Sequence, residues 1–212
     1  MKDIIIFGAG GLGQEVLWNI ETLNSIKKEW NVIGFSSELE IEIGKEFHGY
    51  EIFKPEDVKV KYAALAFADP INKERFHKKY KDRNFIWPNL IHPDVLATMK
   101  VTYDGEGIII FARNTLMPCS KIKSFTYMNV NCVIGHDTVI DEYVSIAPGA
   151  LVMGNCTIGK STYIGVGAAT REKIHIGNYC FIGANAAVVS DIPDYSVAAG
   201  CPAKVIKKIK GV

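Results

Sequence analysis

Ile110-Phe111-Ala112-Arg113-Asn114-Thr115-Leu116 begins a run that reaches Val188, in which an aliphatic side chain returns at every sixth residue without a break in register. The sixes are Ile110, Leu116, Ile122, Met128, Ile134, Ile140, Ile146, Val152, Ile158, Ile164, Thr170, Ile176, Ile182 and Val188, and Thr170 is the one departure. With about half of residues apolar in an ordinary chain, chance would produce such a run in roughly one chain in a thousand, so the repeat is real. Six is neither the 3.6 of a helix nor the 2 of an isolated strand; it is the period of a parallel β-helix.

The other positions of the repeat fit that architecture. The residue after the axial one is often glycine (Gly135, Gly159, Gly165, Gly177, Gly183), and the fourth after it is small (Cys132, Thr138, Val144, Ala150, Cys156, Thr162, Ala168, Cys180, Ala186). Glycine and small residues are expected to turn the corners and to let coils stack closely. Three of the five cysteines fall in this small slot. Their odd number and the lack of a CxxC pair argue against a disulfide framework or a zinc site and for packing.

Composition narrows the classes further. The chain has 212 residues, 48% of them hydrophobic and 22% charged, with a formal net charge of +1. This is the profile of an ordinary globular protein of one or two domains. It offers no electrostatic ground for nucleic acid or an anionic membrane as partner. No apolar run approaches a membrane span and no signal-peptide layout opens the chain, so a cytoplasmic location is expected.

Before the repeat, Asp3 to Phe7 reads as a buried strand. It is followed by Gly8-Ala9-Gly10-Gly11-Leu12-Gly13 and an amphipathic helix over Gln14 to Lys27. Strand, glycine turn and helix form the context in which backbone amides hold a phosphate and glycine admits a ligand to the main chain. The competing explanation is that these glycines only let strand and helix pack closely. A dinucleotide domain should then carry an acid at the end of its second strand, Asn31 to Phe35, but Ser36 and Ser37 stand there, which weakens an NAD assignment. Further expected elements are an apolar segment near Ile52, a strand from Tyr62 to Phe67, a helix from Pro70 to Tyr80 and a last strand over Phe85 to Trp87. The basic stretch Ile71 to Lys79 reads as a solvated helix face. Two prolines in Trp87 to Pro93 mark the boundary, giving units of residues 1–92 and 93–212.

Within the repeat His136 stands out, two places past an axial residue, with Asp137 beside it. Imidazole can accept a proton at neutral pH, although a lone histidine in a turn is more often inert, as with His48, His77 and His175. Asn129 and Asn131 occupy a corresponding part of the preceding corner. No His, Cys and Asp spacing suits a metal. After Val188 the rhythm is expected to stop in an irregular cap, with Lys207, Lys208 and Lys210 on a solvated edge.

Together, Ile5 to Gly13, Leu90-Ile91-His92-Pro93, Gly135-His136-Asp137 and Gly200-Cys201-Pro202-Ala203-Lys204 resemble the motifs of bacterial sugar O- and N-acetyltransferases. These are the sialic-acid O-acetyltransferase and nucleotide-amino-sugar N-acetyltransferase type, and the resemblance covers nearly the whole chain. It implies an α/β Rossmann-like N-terminal domain and a left-handed parallel β-helix of hexapeptide repeats. It also implies a homotrimer with active sites between prisms, and acetyl-CoA as donor with no metal. By the same resemblance His136 is the general base, Asp137 orients it, and Asn129 serves the acceptor. Gly8, Gly10, Gly11 and Gly13 with Ser36 and Ser37 hold the nucleotide sugar. Gly154, Val166 and Ala184 hold the pantetheine arm, with Lys204 on the donor and Ser145 where many members carry a second histidine. Serine at 36 and 37 and Cys201 before Pro-Ala-Lys depart from the family pattern. The expected activity is acetyl transfer to an amino or hydroxyl group of a sugar, probed against three alternatives: a non-catalytic nucleotide-sugar-binding scaffold, an O-acetyltransferase of sialic acid or serine-like hydroxyls, and a nicotinamide oxidoreductase.

Overall fold

A computed structural model describes residues 1–209; Lys210, counted above with the tail lysines, lies outside them. The first unit is an open α/β sheet. Its elements are β1 (Lys2–Phe7), α1 (Gly11–Ile26), β2 (Trp30–Ser36), β3 (Glu46–Phe47), β4 (Tyr50–Phe53), β5 (Tyr62–Leu65) and α2 (Pro70–Lys79). The strand order is β3-β4-β2-β1-β5, parallel throughout except for the β3–β4 hairpin. The inner strand β1 carries a continuous apolar run, Ile4 to Phe7, because both of its faces are covered. Ile4 and Ile6 pack under α1, whereas Ile5 and Phe7 pack under α2. The expected strand at Phe85 to Trp87 reduces to a single bridge between Ile86 and Tyr62, since Pro88 follows at once and cannot continue a ladder.

The second unit is a left-handed parallel β-helix. Its short rungs form three faces, and from Ile109 to Val188 each rung pairs in parallel with the one 18 residues further on, as Tyr127–Met128 does with Ser145–Ile146; the first coil is one residue longer, with Leu90 opposite Ile109, Leu96 opposite Thr115 and Thr102 opposite Lys121. The first face runs from Leu90–Ile91 through Phe181–Ile182, the second from Leu96–Ala97 through Ala187–Val188, and the third from Thr102–Asp104 through His175–Ile176. The first rung, Leu90–Ile91, already pairs with Ile109–Ile110, so coiling begins inside the proline-marked junction. The axial residues are buried, as the register predicts, and Cys132, Cys156 and Cys180 pack among them. Thr170 is tolerated because its Oγ1 accepts from the Met153 N–H at 3.0 Å.

The corners differ from expectation. The residue in the left-handed region is the third after each axial position, from Arg113 through Asp137 and Lys173 to Asn185, with φ between 50° and 69°. No β-branched residue occupies this slot, since such a side chain clashes there. The glycines that follow the axial residues serve stacking instead. A Cβ on Gly135 would lie 2.3 Å from the Gly154 nitrogen in the next coil.

Beyond Val188 coiling persists further than the sixes suggest. Ile192 bridges Ile176, and Ser196–Ala199 pairs in parallel with Phe181–Ile182 before Lys204–Lys208 closes the stack as an antiparallel strand. This last strand covers an edge that would otherwise offer free hydrogen-bonding groups.

The two units share their cores. Val16, Leu17 and Ile20 of α1 lie in one cluster with Leu90, Ile109, Phe111 and Tyr127 of the first face, while Phe76 of α2 joins Phe125 and Tyr143. The helix read as a solvated basic face is therefore only partly so. Lys73 and Glu74 are buried, 1% and 4% exposed, because α2 lies with that side against the coil. Among the described residues no helix is long and apolar enough to cross a membrane.

Candidate active site

His136 lies on the corner between the second and third faces, one residue before the left-handed Asp137. That backbone turn brings the adjacent side chains together, with His136 Nδ1 2.8 Å from Asp137 Oδ2. Both side chains are 56% exposed, so the pair is open to a reactant. A carboxylate on Nδ1 keeps a proton there and leaves Nε2 free to accept one. Gly154 lies one coil on, beneath the ring, where an added Cβ would sit 2.5 Å from His136 Nε2. Its N–H donates to no described residue, which leaves a backbone donor beside the imidazole.

The expected donor residues do not all gather there. Gly154 shares His136's corner, but Val166 and Ala184 project from the corner between the first and second faces, one coil apart. The second face separates the two groups. Its outward column contains Leu96, Val133, Leu151, Ala169 and Ala187, flanked by the exposed Met117, Met153 and Val189. Lys204 is exposed at the start of the closing strand.

Ser145 is not open to a donor within the chain. It is fully buried beneath α2, where the Lys73 ammonium donates to its Oγ at 2.9 Å and to the Val144 carbonyl at 3.3 Å. Burial pulls the Lys73 pKa down to about 7, partly opposed by Asp69. Beside it, Glu74 accepts from Ser161 Oγ at 2.6 Å and pairs with Lys78 and Lys160. Burial opposes its ionisation, but these hydrogen bonds and charges prevail and hold its carboxyl at about 2.

The glycine loop divides into two roles. A Cβ on Gly8 would meet the Ala66 carbonyl at 2.7 Å, and one on Gly13 the Gly8 carbonyl at 2.1 Å, so these two are needed for packing. Gly10 and Gly11 have open space where a side chain would go. No side chain caps the start of α1, and Gly10, just before it, lines a cavity of about 360 Å³ together with Gly8, Ser37, Glu42, Phe67 and Arg75 among others. Ser37 borders this cavity. Ser36 turns into the sheet, donating to the Phe53 carbonyl at 3.0 Å, and is spent on structure.

Asn129 is tied to the first unit. Its Nδ2 donates to Tyr127 Oη and, at 3.3 Å, to Glu15 Oε2 on α1. Glu15 escaped the sequence reading because its partners lie more than a hundred residues away. His77 donates to or accepts from Tyr143 Oη at 2.7 Å and stacks on Phe125, a packing role, and burial lowers its pKa. Among the described residues no group of three His, Cys, Asp or Glu side chains could hold a metal ion.

The first unit covers the first face, and the corner bearing His136 is the one edge of the prism that does not border that face. Within one chain the glycine loop and His136 are therefore on opposite sides.

No family model matches the chain. It is 29% identical over 180 residues to a GDP-perosamine N-acetyltransferase of Escherichia coli O157:H7, covering 80% of this chain and 78% of that protein. It superposes on the acetyltransferase domain of PglB from Neisseria gonorrhoeae with a TM-score of 0.85 and 26% identity, covering 97% of this chain and all of that one. That domain has also been solved in complex with acetyl coenzyme A. PerB from Caulobacter crescentus, solved with CoA and GDP-perosamine, shares the fold with a TM-score of 0.87 at 22% identity. These relatives make the chain a homologue of bacterial sugar N-acetyltransferases with a hexapeptide-repeat β-helix.

Proposed function

We propose that this chain catalyses direct acetyl transfer from acetyl-CoA to the amino group of a nucleotide-linked sugar, with His136 as general base. A GDP-perosamine N-acetyltransferase and an acetyltransferase domain solved with acetyl coenzyme A are among its relatives, which supports acetyl-CoA-dependent sugar acetyltransfer. The observation that carries the residue assignment is the exposed His136–Asp137 pair set over Gly154. His136 Nε2 takes the proton as the amine attacks the thioester carbonyl, Asp137 supports the imidazolium, and the unpaired Gly154 N–H is placed to stabilise the oxyanion. The thiolate of CoA then leaves with a proton returned from Nε2. Cys132 is a poor covalent relay, because burial drives its thiol pKa up to about 12.

The reading includes a homotrimer. Its supports are the apolar second face and the separation of His136 from the glycine loop, which a neighbouring copy would remedy. Gly10, Gly11 and Ser37 hold the nucleotide sugar, while Val166, Ala184 and Lys204 hold the donor. A cytoplasmic setting goes with substrates of this kind. A hydroxyl acceptor would use the same base, and the family resemblance to O-acetyltransferases keeps it as the second reading.

The test is CoA release from acetyl-CoA with a panel of nucleotide-linked amino sugars, with sialic acid and serine as hydroxyl acceptors. Turnover with an amino sugar that falls about 10²- to 10⁴-fold in His136→Ala, at unchanged acetyl-CoA affinity, supports the assignment. Unchanged turnover in that variant refutes it.

A further inference from the structure

We infer that Glu15 is a specificity-determining residue for the acceptor, its carboxylate holding the reacting amine and turning away a hydroxyl in the same place. This rests on the sugar acetyltransfer proposed above. Glu15 lies on α1 one turn beyond the glycine turn, about 6 Å along the helix axis from Gly11. There it meets Asn129, at the corner between the first and second faces that also carries Val166 and Ala184. A sugar attached to a diphosphate at the start of α1 is therefore within reach of Glu15, and so is the edge along which the donor is proposed to lie.

Asn129 itself has nothing left to offer an acceptor. Its Oδ1 accepts from the Val130 N–H at 2.7 Å, and its Nδ2 donates to Tyr127 Oη and, at 3.3 Å, to Glu15 Oε2. Its backbone N–H donates to the Ile146 carbonyl, and its own carbonyl accepts from Asn114 Nδ2. Tyr127 Oη donates to the same Glu15 oxygen at 3.4 Å. Two donors thus converge on Oε2 and fix the exposed carboxylate, while Oε1 accepts from no described residue. Lys73, 5.8 Å from the Tyr127 ring centroid, is the cation beside this cluster, and it is spent on Ser145 and the Val144 carbonyl. Glu15 Oε1 is the open acceptor at this corner, and an ammonium or amine N–H suits it.

A primary amine carries two N–H groups when it attacks. As the C–N bond forms and the C–S bond breaks, one proton passes to His136 Nε2, supplied by a neighbouring copy, and returns to the CoA thiolate. The other stays on nitrogen, donates to Oε1 throughout and becomes the amide N–H of the product. A hydroxyl has a single hydrogen. Given to His136, it leaves oxygen lone pairs facing a carboxylate, and given to Glu15, it leaves the base nothing to take.

The test is calorimetric titration of the full chain with UDP- and GDP-linked sugars bearing a 3- or 4-amino group, each paired with the sugar that has a hydroxyl there. The expected result is an amine bound about tenfold to a hundredfold tighter than its hydroxyl partner, as for a charge-assisted hydrogen bond. In Glu15→Gln the two affinities should become equal, and CoA release from the amino sugar should fall by a similar factor. A preference that survives in Glu15→Gln overturns the inference, and so does equal weakening of both partners, which marks Glu15 as a structural tie. If that variant does not fold, the unaltered chain decides. The amine's advantage should be full below the free amine's pKa of about 8 and shrink as pH rises past it; a pH-independent advantage overturns the inference. Equal affinity within every pair, with CoA released, overturns the inference and leaves the transferase reading intact. Binding of none overturns both the inference and the nucleotide part of that reading. An amine preference abolished by Glu15→Gln, without CoA release from any amino sugar, supports the subsite and refutes the transferase reading alone.

Discussion

Gly154 shows how strictly one residue is held by its neighbour in the next coil. An alanine there puts a Cβ 2.5 Å from His136 Nε2, and the exposed ring can only swing aside. Gly154→Ala should therefore lower kcat at least about tenfold through misplacement of the proposed base. Stability should stay within about 0.5 kcal/mol, as for a surface change; steady-state kinetics beside a urea melt checks both. His136 and Asp137 were legible in sequence because they are adjacent and the repeat sets their register. Ser145 was not, since what buries it is Lys73, 72 residues away. The same distance hid Glu15, and Ser36 could be told from Ser37 only once the sheet placed one inward and one on the cavity.

Among the elements, the corners carry a clear energetic signature. Lys173 holds φ at 59° and is exposed. Lys173→Ile should cost about 1 kcal/mol or more, since a β-branched side chain is strained in this region. Lys173→Gly should be neutral to stabilising, and denaturant titration of the two variants reads the difference. This slot went unread because residues as unlike as Arg113, Tyr143 and Lys173 fill it, and only backbone geometry unites them. Helix α2 makes a second case. Its lysines looked alike in sequence, yet burial brings the Lys73 pKa to about 7, against about 10.4 in an unfolded chain. Between those values the unfolded state binds the extra proton, so stability rises with pH across that window, and below about pH 7 the penalty of the buried charge is complete. Lys73→Met should flatten this dependence and raise stability at about pH 6 by about 1–4 kcal/mol, measured by thermal melts across pH.

For the molecule as a whole, the period of six was enough to establish the coil, and the glycine-turn context was enough to establish the sheet before it. Two things lay beyond one sequence: the hand of the coil, and the fusion of both units into shared cores through Phe111, Phe125 and Tyr143. The apolar second face makes a prediction at this scale. Leu151, 40% exposed in its outward column, should be covered by a neighbouring copy. Sedimentation should show a trimer for the unaltered chain, and Leu151→Arg should yield smaller species with little transferase activity but an intact β signal in circular dichroism. A monomeric, fully active parent chain would overturn the trimeric arrangement.

The 18-residue spacing that the coils keep from Ile109 to Val188 also makes this protein a ruler. Successive rungs are separated by the spacing between hydrogen-bonded strands, about 4.8 Å, so Val166 and Ala184, 18 residues apart in the sequence, stand one graduation apart along the prism. Any ligand lying along that edge is measured in whole graduations. Excising a complete coil would keep every face and corner in column while shortening the scale by one mark. Excising six or twelve residues would rotate the remaining marks onto the wrong face.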